Sequence, residues 1–176
     1  MEPRETVFRQ WLDAHMGLMY KVSRTFAGNR EDQEDLLQEI FYQVWVSVPA
    51  FQGQSQVSTW IHKVALHTAL SWQRKERRHS RWSRLTERGA PLPEAAPEPT
   101  VVSVDAEKQE LLHEVYKAVC GLPKVDCALV LLYLNGLKYS EMAGILGMSE
   151  SNVGVRLSRI RQHLAETLGG NGDESR

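Results

Sequence analysis

Cysteines are few, long apolar runs are missing and net charge is close to zero, and each shortage removes a class of protein. Cys120 and Cys127 are the only cysteines in 176 residues. With no second pair and no histidine nearby at ligand spacing, they supply neither a disulfide framework nor a zinc site. Both read as helix residues in a reducing compartment. No apolar stretch has the length of about 20 residues that spans a bilayer. The N-terminus MEPRETVFRQWLDAH also lacks the basic start and apolar core of a secretory signal. The expectation is a cytoplasmic protein with no stable membrane insertion. A formal net charge of -1 excludes coating nucleic acid by bulk charge, so any such contact must use local patches. No glycine-rich phosphate loop, metal-ligand cluster or nucleophile with its base stands at mechanistic spacing. The chain is therefore expected not to be an enzyme and to need no metal or cofactor.

What is present is a local charge asymmetry. No acidic residue occurs from Ser151 through Ala165, while Arg156, Arg159 and Arg161 lie there with Ser151, Asn152 and Ser158. Val153, Leu157, Ile160 and Leu164 recur at four, three and four residues, which puts them in one stripe of a helix and the basic residues opposite. Ser149 is placed to cap that helix. Before it, Met142, Ala143, Ile145 and Leu146 give a short helix a buried side, with Ser140 as its expected cap and Gly147 as the left-handed residue that stops it. A short helix, a turn containing glycine and a capped basic helix form the pattern of a helix-turn-helix, whose second helix enters the major groove.

The rest of the chain is helical by periodicity. Val7, Trp11, Leu18 and Val22 predict one long helix from Thr6 to Phe26, ended by Gly28 and Asn29, with His15 packed on its stripe. Asp32 or a neighbour opens a second helix with Leu36, Leu37, Ile40, Phe41, Val44, Trp45 and Val48 on its apolar side, and Pro49 ends it. Its other side presents Asp35, Gln38, Glu39 and Gln43. After a loop around Gly53, a third helix begins near Ser58 and buries Trp60, Ile61, Val64, Ala65, Thr68 and Trp72. Lys63, His67, Ser71, Arg74 and Lys75 lie along or near its exposed side. Cations beside aromatic rings suit single-stranded nucleic acid, whose bases stack while the cations follow phosphates. Trp72 reads as core, whereas Trp60 is compatible with core or with stacking.

A basic run, Arg74 to Arg88, follows, and then periodicity disappears in a stretch holding Pro91, Pro93, Pro97 and Pro99. This reads as a linker over 84–104, separating a first helical domain, 1–83, from a second, 105–168. The second domain starts with Leu111, Leu112, Val115 and Val119 on one helix, closed by Leu122 and Pro123. Asp126 is the expected cap of the next helix, which is apolar almost all round and should form the small domain's core. The tail 169–176 holds no apolar residue and is expected to be disordered. The fold class is all-α: two small helical domains joined by a flexible linker, the C-terminal one containing the helix-turn-helix.

The order of these parts resembles the bacterial RNA polymerase sigma factors, in particular the two-domain extracytoplasmic-function group. EDLLQEIFYQVW resembles the segment by which the family docks on the polymerase largest subunit. FQGQSQVSTWIHKVALHTALSWQRK is similar to the part that melts and reads the promoter -10 element, and LPKVDCALVLLYLNGLKYSEMAGILGMSESNVGVRLSRIRQHL to the domain that reads the -35 element. The resemblance implies core polymerase binding through Asp35, Gln38, Glu39 and Phe41. It implies -10 contacts from Gln54, Ser55, Ser58, Trp60, Lys63, His67 and Arg74, and -35 contacts from Ser151, Asn152, Val155, Arg156, Ser158 and Arg159. RNA polymerase core, promoter DNA and an anti-sigma factor are the implied partners. His67 and Ser71 stand where the family usually has Asn and Asp, and Gly154 where it often has Lys or Arg; the glycine would let the backbone come closer to DNA. Two other readings fit the residues: a stand-alone helix-turn-helix regulator acting as a dimer, and a helical adaptor whose basic faces serve solubility.

Overall fold

A computed structural model describes residues 3–86 and 106–169, with side chains for 3–75 and 112–168. Every regular element among the described residues is helical. The chain divides into two compact units, Met1–Pro97 and Glu98–Arg176. The basic run from Arg77 onward, as side chains, most of the expected linker and the tail after Gly169 lie outside the described residues.

In the first unit, helices α1 (Arg4–Phe26), α2 (Arg30–Ser47) and α3 (Val57–Thr86) all pack against one another. The core is built from Met19, Phe26, Leu36, Ile40, Val44, Ile61, Leu66 and Ala69, nearly all fully buried. Burying each of the large aliphatic side chains contributes about 1.5–3 kcal/mol. On α1 Trp11 and Val22 are buried as their spacing predicts, but the stripe is turned toward Met19, which is fully buried while Val7, His15 and Leu18 are only half-buried. Asn29 does not close α1, which stops at Phe26. Instead its Oδ1 accepts the Asp32 N–H at 2.8 Å and caps α2, so Asp32 sits in the first turn. α2 stops at Ser47 with Val48 as its cap, and Pro49, placed to end it, follows directly in a 3-10 turn, Val48–Ala50. α3 continues to Thr86, past the expected domain boundary at 83.

In the second unit, α4 (Ala106–Gly121), α5 (Lys124–Leu134) and α6 (Tyr139–Leu146) all pack against α7 (Glu150–Gly169), and α4 and α6 also pack against α5. Cys127, Ala128, Leu129, Val130 and Leu132 of α5 are buried, as its nearly uniform apolarity predicts. Asp126 does not cap α5. The helix starts at Lys124, directly after Pro123, whose fixed backbone angle suits a helix entry, and the Asp126 N–H bonds to the Pro123 carbonyl at 2.8 Å. Ser140 likewise is not the cap of α6: the helix begins at Tyr139, and Glu141 reaches back to accept the Lys138 N–H at 2.9 Å. Gly147 does stop α6 in the left-handed region, at φ 68°. Ser149 caps α7, its Oγ accepting the Asn152 N–H at 3.2 Å.

Candidate nucleic-acid interface

The first unit carries a groove of about 700 Å³ between α2 and α3. One wall is acidic and amide-bearing: Asp35, Gln38, Glu39 and Gln43, with the ring of Tyr42. The other is His67, Thr68, Ser71, Trp72 and Lys75. Helical spacing explains both walls, because 35, 38, 39 and 42 share one face of α2, and 67, 68, 71, 72 and 75 one face of α3. Gln43 Nε2 donates to Glu39 Oε1 at 2.9 Å, which orients that carboxylate. Arg74 donates to Ser71 Oγ at 3.1 Å and so keeps its cation beside the basic wall. Gln73 Nε2 donates to the Phe26 carbonyl at 2.8 Å and ties this part of α3 to the end of α1.

Three of the four expected polymerase-contacting residues, Asp35, Gln38 and Glu39, thus share one groove wall. Phe41 is half-buried and is not part of it. Of the residues expected at the -10 element, His67 lines the groove, and Lys63 and Arg74 are exposed. Gln54 and Ser55 are exposed in the loop before α3, and Ser58 is half-buried with its carbonyl 2.9 Å from His62 Nδ1.

The two tryptophans divide: Trp60, compatible with core or stacking, is packed, whereas Trp72 departs from its reading as core. Trp60 donates its indole N–H to Ser47 Oγ at 3.1 Å and meets Phe51 edge-on, with ring centroids 5.7 Å apart. Phe51 in turn stands perpendicular to Trp11 at 5.2 Å. These contacts join the start of α3 to the end of α2 and to α1, so Trp60 is packing. Trp72, read as core, is half-buried and lines the groove. Tyr42, 60% exposed, is a groove residue that sequence reasoning did not name; its place one turn after Gln38 and Glu39 was the available signal.

In the second unit the stripe of α7 holds as read: Val153, Leu157 and Ile160 are buried, while Leu164 is half-buried. Ser151, Asn152, Val155, Ser158 and Arg159 are exposed on the other side. Arg156 is the exception, because its Nε–H donates to Asp126 Oδ1 of α5 at 2.9 Å and both side chains are largely covered. Asn152, Asp126, Arg156, Arg159 and His163 border one depression of about 480 Å³ against Leu122 and Pro123. Arg161 faces away from it, its guanidinium 5.8 Å from the ring of Tyr133. A Cβ at Gly154 would point toward α6, meeting Tyr139 Cε2 at 3.6 Å. Beneath the surface, burial pushes the Cys127 thiol up to about 11, and its Sγ lies 3.0 Å from the Val119 carbonyl.

Among the described residues no cluster of three or more His, Cys, Asp or Glu could hold a metal ion, and no helix is long and apolar enough to cross a membrane. The surfaces offer cations, amides and half-covered rings, groups that bind and orient a polyanion or a protein.

Comparison with known proteins matches these two units to two regions of one family. Residues 11–79 fit the model of sigma-70 region 2, and residues 112–164 that of sigma-70 region 4. The chain is 30% identical over 162 residues to the ECF RNA polymerase sigma factor SigE of Mycolicibacterium smegmatis, an alignment covering 92% of this chain and 61% of that protein. It is 28% identical over 179 residues to the RNA polymerase sigma factor YlaC of Bacillus subtilis, covering 98% and 95%. It therefore spans less than two thirds of the first relative and nearly all of the second. Among solved structures, the fold is similar to the sigma factor RpoE in complex with the anti-sigma factor NepR from Bartonella quintana. That likeness has TM-score 0.74 and 22% identity over 92% of this chain and 96% of that one. It is also similar to CnrH in complex with the cytosolic domain of CnrY, at TM-score 0.64 and 19% identity over 94% and 90%. With both regions present in order, and relatives of one group aligned along nearly its whole length, the chain belongs to the sigma-70 family of RNA polymerase sigma factors, in the extracytoplasmic-function group.

Proposed function

We propose that this chain directs RNA polymerase core to a set of promoters, acting in the cytoplasm as a non-catalytic initiation factor. Residues 1–83 would form the region 2 domain, 84–104 the linker, 105–168 the region 4 domain and 169–176 a tail. The observation that carries this reading is the two-walled groove of the first unit. Its acidic wall, with Asp35, Gln38 and Glu39, suits a basic protein surface on polymerase, and Phe41, half-buried on the same helix outside the groove, would add apolar contact. Its basic wall, His67 with Lys75 and the nearby Lys63 and Arg74, suits the phosphates of a melted strand. Gln54, Ser55 and Ser58 stand at the loop that would receive unstacked -10 bases, and Trp60 supports that loop through Phe51 and Ser47. In the second domain Ser151, Asn152, Val155, Arg156, Ser158 and Arg159 would face the -35 major groove, where a guanidinium can take two acceptors of guanine. An anti-sigma factor is the expected inhibitory partner, since the RpoE structure of similar fold holds one.

The test is protection of a selected promoter by the chain alone, by core polymerase alone and by both, at physiological salt. A chain of net charge -1 gains little from counterion release and must restrict its linker to contact two elements. Docking on polymerase makes the second contact intramolecular. Protection of both elements only in the mixture is the expected result. Strong palindromic protection by the chain alone would instead favour a stand-alone regulator.

A further inference from the structure

The ion pair between Asp126 and Arg156 joins residues thirty positions apart, and it ties the DNA-facing helix α7 to the first turn of α5. The side chains are 15% and 35% exposed respectively, so the pair is shielded from water more than a surface bridge would be. It uses the Nε edge of the guanidinium. The remaining N–H groups, on Nη1 and Nη2, are the pair of donors that a planar fork can turn toward two acceptors. Held from behind at Nε, the Arg156 fork loses its rotation about the end of the side chain, and the ordering needed for a two-acceptor contact is met before DNA arrives. Asp126 also places a negative charge beneath a face that carries Arg156 and Arg159, both bordering the same depression as Asn152. A phosphate, which needs only charge, is disfavoured there, whereas a base edge, which needs geometry, is not.

From this we propose that Asp126 is a positioning residue for promoter discrimination: it fixes Arg156 for reading a base pair and withholds it from indiscriminate phosphate contact. The proposal rests on the reading of α7 as the -35 element's reader.

Asp126→Asn removes the charge while keeping the shape. The experiment measures holoenzyme binding to duplexes carrying a randomised -35 segment, with wild type, Asp126→Asn, Arg156→Ala and the double variant, each with its melting temperature. The preferred -35 sequence is taken from wild-type holoenzyme. Asp126→Asn is expected to lower discrimination at one base position on the order of tenfold, as loss of an ordered bidentate contact would. It should also raise affinity for scrambled duplex and steepen the salt dependence by about one counterion. In the Arg156→Ala background the same change should leave discrimination unmoved. Equal losses in both backgrounds, or a lower melting temperature with discrimination intact, would overturn the proposal while leaving -35 reading in place. Absence of any -35 preference in the wild-type holoenzyme would overturn both.

Discussion

The guanidinium of Arg4, in the first turn of α1, donates from Nε and Nη2 to the carbonyl of Trp45, with the Nε bond at 2.9 Å, and lies 4.3 Å from the centre of the Trp45 ring. Trp45 also meets Phe8 edge-on at 5.1 Å. A cation is thus placed on a carbonyl of the last turn of α2, where the helix dipole is negative and intrahelical donors run out. The start of one helix is fastened to the end of the next, which holds the scaffold on which the acidic groove wall stands.

Arg4→Ala is expected to destabilise the first unit by about 1–3 kcal/mol, the range for hydrogen bonds to a charged group with a modest cation-π addition. Arg4→Lys should recover only part, since an ammonium lacks the planar fork that reaches the carbonyl and covers the ring together. Denaturant unfolding of the three variants checks this, and equal stability of Arg4→Ala and wild type would refute it.

For the groove, Asp35→Ala combined with Gln38→Ala should weaken association with core polymerase while leaving helix content and melting temperature unchanged. Both side chains are exposed on α2 and line the groove. Co-purification with core at wild-type yield would remove these residues from the docking surface.

Helical faces were legible in the sequence because burial follows a single period. Leu36, Ile40 and Val44, and likewise Val153, Leu157 and Ile160, are buried as their spacing requires. Helix starts were less legible, because neighbouring polar residues compete for the same free N–H groups. Around α6 the choice fell to Glu141 reaching back to Lys138, and at α5 the entry through Pro123 left Asp126 inside the first turn. The bonds of Arg4 to Trp45 and of Arg156 to Asp126 had no sequence signal at all: they span 41 and 30 residues, and only tertiary packing brings them together. Trp60 illustrates the same limit, since its indole N–H found Ser47 across the loop and the ring joined a cluster rather than a surface. The acidic face of α2 and the basic face of α3 were each readable, but that they form two walls of one groove follows from how the helices pack.

Gly154 gives a prediction of opposite sign to the effect of a typical mutation. It lies inside α7, where glycine costs roughly 1 kcal/mol relative to alanine. A Cβ would rest in ordinary contact with the Tyr139 ring at 3.6 Å. Gly154→Ala should therefore stabilise the second unit by up to about 1 kcal/mol and leave -35 binding unchanged. A higher melting temperature with intact promoter protection is the expected pair of results. Lost protection despite normal stability would mean that the backbone at 154 does approach DNA.

Cys127 sets a limit on stability at high pH. Burial holds its thiol neutral up to about 11, while in an unfolded chain a cysteine titrates near 8.5. The folded value is the raised one, so the unfolded state releases its proton first as pH climbs. The contribution of the neutral thiol is fully present below about 8.5 and is lost progressively between there and about 11. Melting temperature should consequently fall more steeply over that window for the wild type than for Cys127→Ala, which has no thiol to ionise; the comparison cancels lysines and tyrosines that titrate in the same range. The alanine variant should start lower at pH 7, because it forfeits a fully buried sulfur that sits 3.0 Å from the Val119 carbonyl and 3.3 Å from that of Leu122. Alkylation supplies an independent readout: at pH 8 the half-buried Cys120 should react before Cys127, which becomes available only on unfolding. Parallel melting curves together with equal alkylation of both thiols would show that Cys127 is open to water and would defeat the prediction.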